Sequence, residues 1–363
     1  MKKLPRENPS DQVYSVVKSY AAKGTLLQKQ ALEGLAESKD LDDLATRLRA
    51  TTYGDVILRV EKPYTTTKLE MAFQDHLASI HNSLTKVASA PGLIEAYYLK
   101  YITSNLKTVL KGKALGKGYE ELSRNVNLYP EQLIGRRDMV IRALSAGELP
   151  EVVNILRDSE FGDEIDDGLK AFRETGRPQA FDVYLDKTLY TMIVNEFFKL
   201  KESRLLGLAG SDFEKVKPLV AVDIDSYNVL AVLRAKLWDL EPSSIRDLII
   251  EPTFEVSHDV LKKMVETESV VDAMQSLTTT RYRQALPSGE LTAASLGLIE
   301  EGFNSIAYKR ASAPFLWDDF SLSLVLGIIK MKELEARNLS AIAFGVNAKI
   351  GFQAITSKLI VVK

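Results

Sequence analysis

The sequence contains no cysteine and only three histidines, His76, His81 and His258. Disulfide scaffolds, cysteine-bound zinc, iron–sulfur clusters and thiol catalysis are therefore excluded. Any Ser-His-Asp triad or histidine metal site would have to use these three residues. His76 and His81 are five positions apart, so on one helix they point in different directions and are poorly placed to bind one metal ion. We expect the histidines to be surface or packing residues, and we expect no metal site and no cofactor.

Long apolar runs and an excess of one charge are also missing. No stretch of about 18 apolar residues occurs, so no segment is expected to span a bilayer. The N-terminal segment is basic and contains two prolines but no apolar core, which is not the pattern of a secretory signal. The 47 Lys and Arg residues balance 49 Asp and Glu residues, so bare nucleic acid is not the expected main partner. We therefore expect a soluble protein of the cytoplasm.

The remaining composition is typical of a helical globular protein. The 363 residues are 45% hydrophobic and 26% charged, and they are numerous enough for two or three compact units. Apolar residues recur at helical spacing after Ala31 and again from Phe320. The clearest strand-like runs, residues 219–224 and 359–362, are both short. The fold class is predicted to be all-α.

Three short patterns occur three times each, in the same order. The first is a leucine followed by Thr or Ser three positions later and, in each copy, by an aromatic residue five positions later; it begins at Leu48, Leu156 and Leu277. The second is an apolar residue, an acid, two further residues and an apolar residue; it begins at Leu69, Phe181 and Ile299. The third is an asparagine, an apolar residue and, seven positions after the asparagine, a small residue; it begins at Asn105, Asn228 and Asn338.

These repeats predict three homologous helical units at residues 10–118, 119–252 and 253–363. Each unit is longer than a solenoid repeat of about 20–50 residues and is closer to a small helical bundle. Three like bundles can surround a pseudo-threefold axis and form a ring or funnel, which could hold a partner in its middle.

Polar residues interrupt the apolar helix faces at equivalent places in the three copies: Asn105, Asn228 and Asn338, together with Glu335. The second copy has Asp225 where the third has Glu335, and the first has Ile102. A polar group on a packed face is costly unless it is hydrogen-bonded. These residues therefore either fix how the helices pair or take part in binding.

Two segments partly match known ligand sites. The Gly112–Gly118 stretch has the glycines and lysines of a phosphate loop, but it has one residue too few between its first two glycines and lacks the metal-binding hydroxyl. The stretch from Asp163 is similar to a calcium loop, but Ile165 stands where a carboxylate is needed. We interpret the first as the C-terminal end of a helix and the second as an acidic helix start.

The segment from Phe320 to Gly345 resembles the C-terminal signature of the C subunit of archaeal A-type ATP synthases, a family similar to the d subunit of eukaryotic V-ATPases. An apolar helix runs into Lys332–Glu335 and then into Arg-Asn and a glycine. The two earlier asparagine segments and the stretch 286–291 match as well, and the resemblance covers nearly the whole chain. The sequence departs from the family at Val346, where a lysine is expected, and in its first helix, which has few arginines.

The resemblance implies a protein without an active site. Members of the family are funnels of three helical bundles that lie on the cytoplasmic side of the membrane as peripheral proteins, one copy per complex. The expected partners are the central shaft of the rotor and the proteolipid ring, between which the funnel transmits torque for proton or sodium transport coupled to ATP synthesis or hydrolysis. We name Arg49, Arg157, Arg281 and Arg283, close to the repeated aromatic residues, as candidate shaft contacts.

Two other functions are compatible with a helical chain. A generic helical scaffold with a different partner shares every compositional feature. An enzyme acting through residues 112–118 would need a base, a nucleophile or a metal set that the sequence does not offer.

Overall fold

The computed structural model describes residues 9–205, 212–317 and 321–360, with the side chains of residues 9–12 and 203–205 excepted. Helices dominate these residues and no strand occurs among them, which confirms the all-α prediction. Phe320 and residues 361–362 of the second strand-like run lie outside the described residues. Within the described ranges, no helix is both long enough and apolar enough to cross a membrane.

The helices follow one another with short connections. Those before residue 90 are α1 (Pro9–Gly24), α2 (Lys29–Ala36), α3 (Leu41–Leu48), α4 (Gly54–Leu58) and α5 (Thr66–Thr85). Those from residue 91 to residue 205 are α6 (Pro91–Ala114), α7 (Tyr119–Ser123), α8 (Tyr129–Leu133), α9 (Asp138–Ser145), α10 (Leu149–Arg157), α11 (Gly162–Thr175) and α12 (Ala180–Leu205).

The helices from residue 212 onward complete the fold. They are α13 (Asp212–Leu237), α14 (Pro242–Asp247), α15 (His258–Glu266), α16 (Val270–Gln275), α17 (Leu296–Ser312), α18 (Pro314–Trp317), α19 (Leu322–Asn347) and α20 (Phe352–Thr356). Short 3-10 helices span Ser276–Thr279, Arg281–Ala285 and Ala293–Ser295.

One compact unit is built from the described residues within 1–95, 210–216 and 307–363. Helix α19 is its centre and packs against α5, α1, α2 and α3. Most residues of α19 are buried, because apolar side chains surround it on nearly every face. This unit therefore joins segments that are far apart in the sequence.

The other compact unit is built from the described residues within 96–209 and 217–306. Its helices α9, α10, α11 and α12 pack in chain order, and α14, α15 and α16 do the same. The strand-like run 219–224 lies here inside α13, in keeping with the all-α prediction. All six of its residues are buried and all but Asp223 are apolar, so the apolar character of the run reflects burial of the helix rather than strand structure.

Side-chain caps start several of the helices. The side chains of Asp40, Thr65, Ser257 and Ser269 each accept a hydrogen bond from a backbone N–H in the first turn of α3, α5, α15 and α16. Asp163 and Glu164 stand in the first turn of α11, where the helix dipole favours negative charge. The interpretation of this stretch as an acidic helix start is correct, and it is not folded as a calcium loop.

Candidate functional site

The three asparagines that begin the third sequence pattern make the same pair of hydrogen bonds. Each side chain binds the N–H and the carbonyl of the residue 22 positions later: Asn105 with Asn127, Asn228 with Ile250, and Asn338 with Ile360. The amide donates to the carbonyl at 2.7, 3.0 and 2.8 Å and accepts from the N–H at 2.9, 2.8 and 2.9 Å, respectively. Only a side chain with both a donor and an acceptor can satisfy both groups, and all three asparagines are buried.

The same three helices end in one way. The second residue beyond the end of each helix has a left-handed backbone: Gly116, Asp239 and Lys349, with φ of 73°, 57° and 54°. The next N–H donates to the carbonyl of the small residue of the third pattern at 2.9, 3.1 and 2.8 Å. This is the Schellman motif. The Gly112–Gly118 stretch is one of these three helix ends, as the sequence interpretation has it, and not a phosphate loop.

The small residue of the third pattern is required by close packing. A Cβ added to Gly112 would lie 2.1 Å from the Leu122 side chain, and one added to Gly345 would lie 2.6 Å from Ile355. Both neighbours belong to the short helices, α7 and α20, that follow the turn. The third member of the set is Ala235, which is itself fully buried. The small residue therefore makes room for the helix that folds back.

The hydroxyl of the first pattern makes a local turn. Thr51 donates to the carbonyl of the pattern's leucine at 2.7 Å and accepts from the N–H of its aromatic residue at 3.2 Å. Ser159 does so at 2.6 and 3.2 Å, and Thr280 at 2.8 and 3.1 Å. The turn directs the aromatic rings into the core, where all three are fully buried: Tyr53, Phe161 and Tyr282.

Where the buried ring is a tyrosine, its hydroxyl donates to the acid that stands three positions before an asparagine of the third pattern. Tyr53 binds Glu335 Oε1 at 2.8 Å, and Tyr282 binds Asp225 Oδ2 at 2.9 Å. Each bond joins the helix that carries the third pattern of one copy to the first pattern of the next copy, and the last copy is joined to the first in this way. In the remaining set the acid and the hydroxyl are both missing, because the residues there are Ile102 and Phe161. The polar and apolar versions therefore occur as matched sets.

Lys332 is fully buried on α19. Its ammonium donates to Glu335 Oε1 at 2.7 Å and to the carbonyl of Thr25 at 3.0 Å. The backbone N–H of Leu27 donates to the other oxygen of Glu335. A buried charge needs a partner of opposite sign and hydrogen bonds for its remaining atoms, and this arrangement supplies both. The buried pair thus ties α19 to the turn that follows α1.

The histidines are packing or surface residues, as predicted. His76 packs against Tyr53 with the ring planes tilted by 38° and the ring centroids 4.2 Å apart, and burial together with the charge of Lys332 lowers the pKa of His76 to about 4. His81 is buried, with Nε2 2.9 Å from the carbonyl of Ile94. His258 is exposed beside Glu251. The described part of the chain holds no group of three or more His, Asp or Glu residues that could bind a metal ion.

The four candidate arginines are all exposed. Arg49 donates to the hydroxyl of Tyr64 at 2.5 Å and belongs to the unit that contains α19. The other three belong to the second unit. Arg157 lies 2.8 Å from Asp166, whose pKa it lowers through a side-chain hydrogen bond. Arg281 and Arg283 lie on the same 3-10 helix, and the Arg281 side chain is 81% exposed.

Sequence reasoning missed Glu131, which is fully buried. Its Oε1 accepts from Asn105 Nδ2 at 2.7 Å, and its Oε2 has no hydrogen-bond partner in the described part of the chain. Burial, only partly offset by the Asn105 bond, raises its pKa to about 7. The sequence carries no signal for this residue, because a glutamate that will be buried looks the same as one on the surface.

Glu131→Gln is expected to stabilise the protein at pH 8 and to be nearly neutral at pH 5. The folded-state pKa of about 7 exceeds the ordinary value of 4.5, so the folded chain holds the Glu131 proton more tightly than the unfolded chain does. The free energy of unfolding of the unmodified chain therefore falls by up to about 3 kcal/mol as the pH rises from 4 to 8. Glutamine keeps the acceptor for Asn105 without the charge. Urea unfolding at both pH values measures the difference, and an equal shift at pH 5 and pH 8 would contradict the assignment.

Comparison with known proteins agrees with this architecture. A profile of the ATP synthase (C/AC39) subunit family matches residues 16–357. The A-type ATP synthase C subunit of Methanothermobacter thermautotrophicus is 25% identical over 332 residues, 88% of this chain and 80% of the relative. The corresponding protein of Pyrococcus horikoshii is 25% identical over 332 residues (89% and 83%), and that of Methanocaldococcus jannaschii is 22% identical over 363 residues (97% and 86%).

The chain belongs to the ATP synthase (C/AC39) subunit family. The resemblance predicted from the sequence is therefore confirmed. Membership of this family also agrees with the prediction that the chain is a non-catalytic member of the complex with no active site of its own.

Proposed function

We propose that the chain is a central-stalk rotor subunit of a V/A-type ATP synthase. In this role it connects the rotor shaft to the membrane proteolipid ring, as a peripheral protein on the cytoplasmic side, and transmits torque for proton or sodium transport coupled to ATP synthesis or hydrolysis. The observation that carries the proposal is the family match over residues 16–357, together with relatives named as the C subunit of A-type ATP synthases.

The proposal includes three homologous units, at residues 10–118, 119–252 and 253–363, arranged around a pseudo-threefold axis. Its support is the recurrence of three sets of hydrogen bonds: the hydroxyl turn, the left-handed helix end and the asparagine pair 22 residues apart. Independent evolution of three such matched sets in one order would be improbable. A socket for a shaft follows if the three units surround a common centre.

Torque transmission requires helices that neither slide nor rotate against their neighbours. The asparagine pairs fix each long helix to the segment that follows it, and the Lys332–Glu335 pair fixes α19 to the turn after α1. Satisfied buried polar contacts specify one arrangement, because any slip leaves a buried donor or acceptor without its partner. This stiffness supports a mechanical role.

The double variant Arg281→Gln/Arg283→Gln is expected to bind the shaft subunits about fivefold to tenfold more weakly, and the difference should be larger at low salt than at high salt. Both side chains are exposed and lie on one short helix, so the melting temperature should not change. The measurement is a titration of immobilised shaft subunits with the purified chain. The matched control replaces Arg142 and Arg246, which are also exposed. Equal affinities for the two double variants would remove these arginines as contacts.

The experiment that tests the function is affinity purification of the tagged chain from gently solubilised membranes, followed by mass spectrometry. Recovery of proteolipid, shaft and nucleotide-binding subunits is the expected result, and a tag without the chain is the control. Recovery of none of these, with the chain bound to another protein, would instead favour the helical-scaffold function.

A further inference from the structure

In two of the three copies, an ion pair joins the helix of the third pattern to the helix that carries the second pattern of the following copy. Six positions after the asparagine of the third pattern, the first copy has Lys111, which binds Asp182 at 2.9 Å. At the same place the second copy has Arg234, which binds Glu300 at 3.0 Å. Each acid is the one in the second sequence pattern of the following copy. Both pairs lie within one compact unit.

The third equivalent place has the acid but not the cation. Phe344 stands six positions after Asn338, on the surface of α19, and its side chain is 60% exposed. The corresponding acid is Glu70 on α5, and α5 and α19 pack against each other. Glu70 is half-buried, and no hydrogen bond or ion pair joins its carboxylate to any residue in the described ranges. Burial accordingly raises its pKa above the ordinary value.

A second cation is missing from the same end of α19. Lys113 and Lys236 each donate to the carbonyl of a helix-end residue in the following copy, at Ala146 and Thr267. The equivalent residue of the third copy is Val346, where the family pattern predicts a lysine. Just beyond it, two further apolar side chains, Ile350 and Phe352, are 40% and 41% exposed. Phe344, Ile350 and Phe352 thus leave apolar surface exposed at this end of α19, next to Asn347 and Lys349, while the acid equivalent to Asp182 and Glu300 has no ion pair within the described part of the chain.

We propose that Phe344 and Glu70 form a docking position for a basic segment of another subunit, whose Lys or Arg side chain replaces the missing cation. The inference rests on the proposed function in one respect, that the chain works inside a complex. A cation is the group that fits, because it pairs with the Glu70 carboxylate and is attracted to the face of the Phe344 ring. Its aliphatic stem can cover the apolar side chains nearby.

Other occupants fit this position less well. An acidic segment, a nucleic acid or an anionic lipid surface would place negative charge against Glu70, which costs free energy in a half-buried site. A purely apolar segment would bury the carboxylate with no partner. The proposal is therefore specific to a protein segment that carries a positive charge next to apolar residues.

The absence of cysteine allows a direct test. In Phe344→Cys the new thiol is the only one in the chain, so a benzophenone maleimide attaches at this position alone. The labelled chain is assembled into the complex, irradiated and mapped by mass spectrometry. We expect a cross-link to a single segment of another subunit, with a Lys or Arg within about one helical turn of the linked residue. The control is Leu58→Cys, in the same unit and 65% exposed, which should give no such product.

Phe344→Arg provides a second readout with two effects of opposite sign. The new arginine can close the third ion pair within the chain, as Arg234 does with Glu300, so the melting temperature should rise by roughly 1–2 °C. The same arginine competes with the partner's cation, so retention of the chain in the complex should fall by about fivefold to tenfold. Phe344→Leu, which adds no charge, should change retention less.

The outcomes separate this inference from the proposed function. A cross-link from residue 344 to a segment without a cation, to lipid only, or to no other chain overturns the docking position, as does a Phe344→Arg chain retained as well as the unmodified chain. These results can occur in a complex that contains shaft and proteolipid, which leaves the rotor role intact. Conversely, the cross-link to a basic segment supports the docking position whichever other proteins the complex contains.

Discussion

Replacing Asn228 with leucine is expected to lower the free energy of unfolding by about 2–5 kcal/mol. Asn228 is fully buried, and its amide holds both the N–H and the carbonyl of Ile250. Leucine is similar in volume but offers neither donor nor acceptor, so two backbone groups lose their partner at about 1–3 kcal/mol each. The measurement is urea-induced unfolding of the purified full chain, followed by circular dichroism.

Aspartate at the same position distinguishes lost hydrogen bonds from lost packing. Asn228→Asp keeps the acceptor for the N–H of Ile250 but turns the donor into a second oxygen that faces the carbonyl. We expect a larger loss than with leucine at pH 8 and a partial recovery relative to the unmodified chain at pH 4, where a protonated acid can donate again. Asn347→Leu, at an exposed position of α19, is the control and should cost less than about 0.5 kcal/mol. Equal losses at positions 228 and 347 would contradict the role of the asparagine pair.

Lys332→Met is expected to cost about 3–5 kcal/mol of stability. The substitution leaves the Glu335 carboxylate buried with its hydrogen bonds from Tyr53 and Leu27 but without the positive charge 2.7 Å away. An uncompensated buried charge is far less favourable than the intact pair. Thermal and urea unfolding measure the loss, and Lys262→Met, at an exposed position of α15, is the matched control.

The chain itself shows how the loss can be recovered. At the places of Lys332, Glu335 and Tyr53, the Asn105 copy and the copy after it have the apolar set Leu99, Ile102 and Phe161, all of them buried. The triple variant Lys332→Leu/Glu335→Ile/Tyr53→Phe is therefore expected to be within about 2 kcal/mol of the unmodified chain, and more stable than Lys332→Met alone. If the triple variant were less stable than Lys332→Met, the expectation that an apolar set can replace the buried pair would be wrong.

The sequence was most informative where one backbone position demands one kind of side chain. The asparagine, the small residue seven positions later and the hydroxyl of the first pattern are all visible without a structure, because each is required by a specific hydrogen bond or close contact. The partners of the asparagines were not predictable. Asn127, Ile250 and Ile360 supply only backbone groups, so nothing in their side chains marks them.

Other features depend on pairings between distant parts of the chain. The match of acid with tyrosine, and of isoleucine with phenylalanine, is present in the sequence, but nothing there indicates that Glu335 meets Tyr53, 282 positions earlier. The run 219–224 resembles a strand in sequence but lies in a helix, because a buried helix segment can be as rich in apolar residues as a buried strand. Whether the four arginines bind a shaft stays a prediction, since their contacts would be made with another chain.

The unit centred on α19 has a consequence for how the protein is made. Apart from a short stretch within 210–216, its described residues come from the first 95 positions and from positions after 306, so α5 leaves the ribosome long before the helix against which it packs. The middle of the chain has all its own helices available earlier and can fold while synthesis continues. During that interval the faces of α2, α3 and α5 that pack on α19 lack this partner and are exposed to aggregation or to chaperones. The slowest step of biogenesis should therefore be the packing of α19 against these earlier helices, which cannot begin until α19 has been synthesised.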